Sequence, residues 1–393
     1  MPMPSTRALR SRAVVRDADE EHRASTPLEL FFDLTYVVAV GRAAASLHHQ
    51  LGEGHIRLGI IGFCSIFFAV WWGWMNYTWF ASAHDSDDVA HRLLTFVQIT
   101  GVLVFAAGVT SAAEDGDFLV VVIGFAIMRV GLILSWLRVA RDEPGMRARA
   151  LRYVGGLTVL QLLWITRLAV HSEHAGLATF VVLALGEMAI PVWAERAGSI
   201  PPFHAEHIEE RYGLFTIILL GESILSATAG VQASFDAGGL TAPLAAVGFG
   251  GLVLAFASWW LYFDHPGHLA PTPDVAFRWG YAHVVLFAAL AGMGAGLHLA
   301  AETVTDHGPS RTASLAIAVP AAGFLLGLVV VMLVTGAAVV DRKVWPKVAG
   351  ASAMVLAGLV TPVAVTVLAC AAVMTGLATW MVFDTAQGPS DMA

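Results

Sequence analysis

The chain has 393 residues, 57% of them hydrophobic and only 13% charged, with a formal net charge of −8 at pH 7. So little charge cannot cover a soluble protein of this size, and the absence of a basic stripe excludes nucleic acid as a partner. Apolar runs of about 20 residues predict helices that cross hydrocarbon instead, which makes the lipid bilayer the first partner.

Residues 1–27 contain Arg, Ser and Pro and carry Asp17, Asp19, Glu20 and Glu21. No apolar stretch follows the early arginines, so the segment reads as a flexible cytoplasmic tail and not as a signal peptide. Twelve spans follow, over 29–48, 56–80, 92–112, 118–138, 150–171, 176–195, 211–231, 243–263, 278–300, 313–340, 346–363 and 364–383. The last two are separated only by the turn signal Thr361-Pro362. The expected fold is all-α, a polytopic transmembrane helical bundle. Cys64 and Cys370 both lie in apolar runs and read as small buried hydrophobes, not as a disulfide framework or a metal site.

The segment from Phe68 to Asn76 (FAVWWGWMN) recurs from Phe256 to Asp264 (FASWWLYFD), and each copy leads through a polar stretch to an arginine, Arg92 or Arg278. The recurrence predicts two parallel six-helix halves, 28–196 and 197–384, with a short tail over 385–393 and a site where the halves meet. Arginine and lysine favour alternate loops. Arg138, Arg141, Arg147, Arg149 and Arg152 fall on one side together with Arg342, Lys343 and Lys347, while Glu114, Asp115, Asp117, Glu302 and Asp306 fall on the other. The positive-inside rule then places both termini in the cytoplasm, in a bacterial inner membrane.

Charges inside spans cost about 2.5–3.5 kcal/mol each to insert and so need partners or a purpose. Glu29 and Asp33 stand four apart on one face of the first span. Like charges at that spacing require a cation between them or a proton on one of them. In the seventh span Glu210 and Arg211 precede Glu222, which lies ~16 Å further along the helix than Arg211 and on the same face. Arg129 and Glu187 sit at similar depth in the fourth and sixth spans. These residues are the candidate substrate or ion pathway, with Arg129 or Arg211 as counter-charge. A buried structural ion pair is the competing reading.

The loop after the second span holds Asp85, Asp87 and Asp88, followed by Arg92. Clustered carboxylates at a membrane surface suit Mg²⁺-diphosphate, and the same residues suit a solvated loop that caps the next helix. His204 and His207 lack a third metal ligand unless Glu210 supplies it, and they read as solvated interfacial histidines, so no metal site is assigned. Trp71, Trp72, Trp74, Tyr77 and Trp79 read as an aromatic belt at the inner leaflet.

Leu28-Glu29-Leu30-Phe31-Phe32-Asp33-Leu34, then Trp72 and Trp74 followed by Asp85-Ser86-Asp87-Asp88 and Arg92, then His207-Ile208-Glu209-Glu210-Arg211-Tyr212-Gly213-Leu214-Phe215, then Leu220-Gly221-Glu222-Ser223 together resemble the bacterial low temperature requirement A (LtrA) family. The resemblance covers nearly the whole chain. It implies a polytopic inner-membrane protein, and it marks Glu29, Asp33, Arg92, Glu210, Arg211 and Glu222 as functional positions without naming an activity or a cofactor. Three functions follow from the residues. The first is a transporter-like protein for a small solute or ion, with Asp33 and Glu222 coupling protons or cations. The second is an intramembrane enzyme acting on a lipid-like or prenyl-diphosphate substrate through Asp85, Asp87 and Asp88. The third is a membrane scaffold or sensor.

Overall fold

The computed structural model describes residues 9–13, 23–84, 86–170, 173–197, 203–236, 239, 241–264, 269, 273–306, 310–336 and 343–386. Among these residues there are twelve α-helices, one 3-10 turn and no strand. The helices are α1 (Pro27–Gly52), α2 (Ile56–His84), α3 (Val89–Glu114), α4 (Leu119–Asp142), α5 (Arg147–Arg167), α6 (Glu173–Glu195), α7 (Ala205–Asp236), α8 (Ala242–Phe263), α9 (Pro273–Asp306), α10 (Ser310–Thr335), α11 (Val344–Val360) and α12 (Val363–Ala386). The turn Pro144–Met146 joins α4 to α5.

Among the described residues each expected span falls on a helix, and nine of these helices are long and apolar enough to cross a membrane. The other three depart for chemical reasons. Helix α5 carries Arg147, Arg149, Arg152 and Arg167, α7 carries Glu209, Glu210, Arg211 and Glu222, and α11 has 17 residues. The break between α11 and α12 falls at Thr361, which is extended (φ −113°, ψ 157°) as the residue before a proline prefers to be.

The chain divides into two compact units, Met1–Arg42 with Phe68–Arg211, and Ala43–Phe67 with Tyr212–Ala393. This division is not the one between the sequence halves. Residues 43–67 group with the later helices and 197–211 with the earlier ones.

In the first unit, small residues let α3 and α4 touch backbone to backbone. A Cβ at Gly124 would stand 2.3 Å from the Phe105 amide nitrogen, so only glycine fits there. A core of Phe80, Leu132, Trp136, Val139, Tyr153, Leu157 and Ile190 joins α2, α4, α5 and α6. Trp136 and Tyr153 stack within it at 4.1 Å. In the second unit α9 is the enclosed helix: 78% of its apolar window is buried, against 22% for α6 in the first unit. It presents Leu286, Phe287, Leu290, Met293 and Leu297 to its neighbours.

The two copies of the tryptophan segment stand in unlike settings. Trp71, Trp72 and Trp74 are fully buried, whereas Trp259 is 42% exposed. The expectation of an aromatic belt at the first copy is therefore corrected; these indoles are interior groups, and the partners of Trp72 and Trp74 are described below. Cys64 also departs from expectation. It lies exposed on α2, where lipid covers a small thiol as readily as protein does, while Cys370 is buried.

Candidate functional site

Helix α1 starts with a capping box. The Thr26 hydroxyl accepts from the Glu29 amide at 3.2 Å, and the Glu29 carboxylate accepts from the Thr26 amide at 2.8 Å. Pro27 takes the first helical position, where its missing N–H costs nothing. The box fixes Glu29 on one face of α1, and Asp33 follows a turn later on the same face.

Arg211 of α7 stands between the two carboxylates. It donates from Nε to Asp33 Oδ2 at 2.8 Å and from Nη2 to Asp33 Oδ1 at 2.5 Å, a two-pronged bond. Its Nη1 lies 3.0 Å from Glu29 Oε1. From α2, Trp74 Nε1 donates to Asp33 Oδ1 at 2.7 Å, and Thr78 Oγ1 accepts from Arg211 at 3.3 Å. One turn before Arg211, His207 Nε2 lies 3.2 Å from Glu29 Oε1. Glu29, Asp33, Trp74, Thr78, His207 and Arg211 are each no more than 1% exposed, so water does not screen the cluster. His207 Nδ1 is buried and makes no hydrogen bond. The reading of His204 and His207 as solvated histidines is corrected, since both are buried. Glu210, their neighbour, accepts from the Ser25 amide at 2.9 Å at the unit's exposed edge.

A second buried cluster lies in the same unit. Arg129 Nη2 of α4 donates to Glu187 Oε2 of α6 at 2.5 Å. Trp72 Nε1 of α2 donates to the same oxygen at 2.9 Å, and Trp164 Nε1 of α5 to Oε1 at 3.1 Å. Arg129 also covers the Phe125 ring at 4.7 Å. Here charges match one to one and both carboxylate oxygens are satisfied, as a structural ion pair requires. Trp72 and Trp74 project roughly 200° apart around α2, and each supplies an indole N–H to one of the two clusters.

The loop carboxylates are committed within the loop and to its neighbours. Asp88 caps α3 by accepting from the His91 amide at 2.8 Å; it also accepts from the Ser11 amide at 2.6 Å and pairs with Arg138 of α4. Burial opposes ionisation of Asp88, but the Arg138 guanidinium and the two amides outweigh it and hold the carboxyl at about 2. Asp87, in the left-handed region at φ 42°, pairs with Arg92 at 2.9 Å. Asp85, His265 and His268 lie outside the described residues. Part of the expected tail is fastened to this region, as Arg10 bonds Asp142 Oδ1 at 2.6 Å. Arg23 is buried and bonds the carbonyls of Ala81 and Ser82.

Glu222 belongs to the second unit. It lines a cavity of about 330 Å³ together with His48 and His298. His48, His298 and Glu302 were not singled out as site residues in the sequence. The only local signal is the i, i+4 pair His298 and Glu302, because His48 is distant in the chain.

Helices of this length and apolarity, with ionisable groups buried among them, define a multi-pass α-helical membrane protein. Residues 24–382 match the family described as Bacterial low temperature requirement A protein (LtrA), and the chain belongs to that family. It is similar to "Uncharacterized protein RA0937" of Rhizobium meliloti (strain 1021), with 30% identity over 261 residues. The match covers 64% of this chain and 61% of that relative. No solved structure matches the chain.

Proposed function

We propose that this protein is a proton-coupled, transporter-like membrane protein in which Glu29, Asp33, His207 and Arg211 bind the coupling proton. The observation that carries the proposal is a charge count. Two fully buried carboxylates bond one guanidinium, while a second guanidinium, that of the buried Arg23, acts on His207. Among the groups in direct contact, the roughly half positive charge at the N-terminus of α1 does not fully offset the second carboxylate. An uncompensated charge in such a place costs several kcal/mol, and one proton at the contact between Glu29 and His207 removes it. With Nδ1 of His207 unpartnered, no second hydrogen bond fixes the tautomer, and the ring is free to take the proton on or pass it on.

Asp33, held by both prongs of Arg211 and by Trp74, serves as the fixed counter-charge. Arg129 and Glu187 brace α4 against α6. The protein sits in the bacterial inner membrane with both termini in the cytoplasm, in accord with the distribution of arginine and lysine. The transported partner is a small solute or ion.

Proton flux into proteoliposomes across an imposed pH gradient tests the proposal. Wild-type protein moves protons, and Glu29→Gln, which balances the cluster without a proton, does not. Equal flux from the two proteins, both monodisperse by gel filtration, refutes the assignment.

A further inference from the structure

The second unit contains a cluster that the proton-binding site does not use. His48, near the C-terminal end of α1, meets His298 and Glu302 of α9. Glu302 Oε1 lies 3.2 Å from His48 Nε2 and 3.6 Å from His298 Nε2. The three donor atoms all fall within 4.8 Å of one another. Two ligands of a tetrahedral ion bound at about 2.0–2.2 Å stand roughly 3.3–3.6 Å apart, so both separations are close to that edge length before any ion draws the donors in. His298 and Glu302 are four apart and share a helix face, as two ligands from one helix must.

Three further features point to a ligand and not to a surface ion pair. The two imidazoles stack at 4.2 Å and 20°, so one ring from each helix borders the same small space. His48 Nδ1 is a buried polar atom with no hydrogen bond, so no partner on that side of the ring holds it away from a ligand at Nε2. The cavity of about 330 Å³ beside the cluster is lined by His48, His298 and Glu222, with Ala44, Leu225 and Ala295 as apolar walls. Glu222 comes close to α9 because residue 294, one turn before His298, is glycine: a Cβ there would stand 2.7 Å from Glu222 Cγ. A second carboxylate thus borders the same space.

We infer that His48, His298 and Glu302, with Glu222 closing the cavity side, bind one first-row divalent transition-metal ion, with Zn²⁺ as its representative. Two imidazoles with carboxylates suit that class, whereas Mg²⁺ and Ca²⁺ select all-oxygen sites. The partial exposure of Glu302 and His298, 47% and 37%, gives the ion a way in.

The test uses the full-length protein in detergent, stripped with chelator and titrated with Zn²⁺ by calorimetry and with Co²⁺ by visible absorption. One equivalent of Zn²⁺ per chain is expected, with the intense d–d bands of low-coordinate Co²⁺. His298→Ala and Glu302→Gln each weaken Zn²⁺ binding by roughly 10- to 100-fold or more. Glu302 is exposed, so its substitution tests the site even where His48→Ala fails to fold. The inference is overturned by wild-type protein that takes up no stoichiometric Zn²⁺, or by affinity unchanged in both variants.

Discussion

Glu29 and Asp33 share a helix face and a guanidinium, yet their substitutions have unequal consequences. Asp33→Asn keeps an oxygen for Trp74 and one prong of Arg211 but turns an amide donor towards the other prong, and it leaves Glu29 as the one carboxylate facing Arg211. Breaking a buried pair in this way costs about 3–5 kcal/mol. Glu29→Gln gives up the charge in the contacts to Arg211 and His207 but leaves Asp33 and Arg211 as a matched pair and can keep the capping bond, so its cost is smaller. Melting of the purified variants in detergent measures the difference, and Asp33→Asn is the less stable protein.

Asp88 gives a pH signature outside the spans. Its carboxyl is held at about 2, below the ordinary value of about 3.9. A depressed carboxylate contributes its full stability above the unfolded value and loses it as pH falls towards 2. The difference in melting temperature between wild type and Asp88→Asn is therefore constant from pH 5 to 8 and shrinks below pH 4. At this scale the sequence was half legible. The spacing of Glu29 and Asp33 required a cation or a proton, and Arg211 was one of two named counter-charges. Choosing between Arg211 and Arg129 depends on contacts across 178 residues for Asp33 and Arg211 and across 58 for Arg129 and Glu187, which no local pattern encodes. The indoles of Trp72 and Trp74 were misread because Trp suits a bilayer interface and a buried hydrogen bond equally well.

The helices themselves were legible because hydrocarbon imposes a length and a composition on every span. Even the short break between α11 and α12 was marked by Pro362, whose ring pushes Thr361 out of the helical region. The close approach of helices was less so, because a glycine in a span signals small size without naming its neighbour. Gly124→Ala puts a methyl against the Phe105 backbone and forces α3 from α4. A destabilisation of about 1–3 kcal/mol is expected from such overpacking, read as a lower melting temperature. Gly155, where a Cβ would meet nothing within 4 Å, tolerates the same change.

For the whole molecule, the recurrence of the tryptophan segment suggested two equivalent halves, but the compact units follow contacts and not that division. The unlike settings of Trp71 and Trp259 have a physical basis: a repeated apolar sequence packs equally well against protein or lipid, so likeness of sequence does not carry likeness of environment. Orientation rests on arginine and lysine. Reporters active only in the cytoplasm are expected to work when fused at either end of the chain, and a silent one places that end outside.

The account turns on whether the cluster around Arg211 holds a proton that its fixed charges cannot replace. Infrared difference spectroscopy of the reconstituted protein between acidic and alkaline pH reads this directly, through the bands of a protonated carboxyl and of imidazole. The account predicts a titrating band in wild type that persists in Glu222→Gln and is absent from Glu29→Gln. A wild-type spectrum that Glu29→Gln leaves unchanged contradicts it.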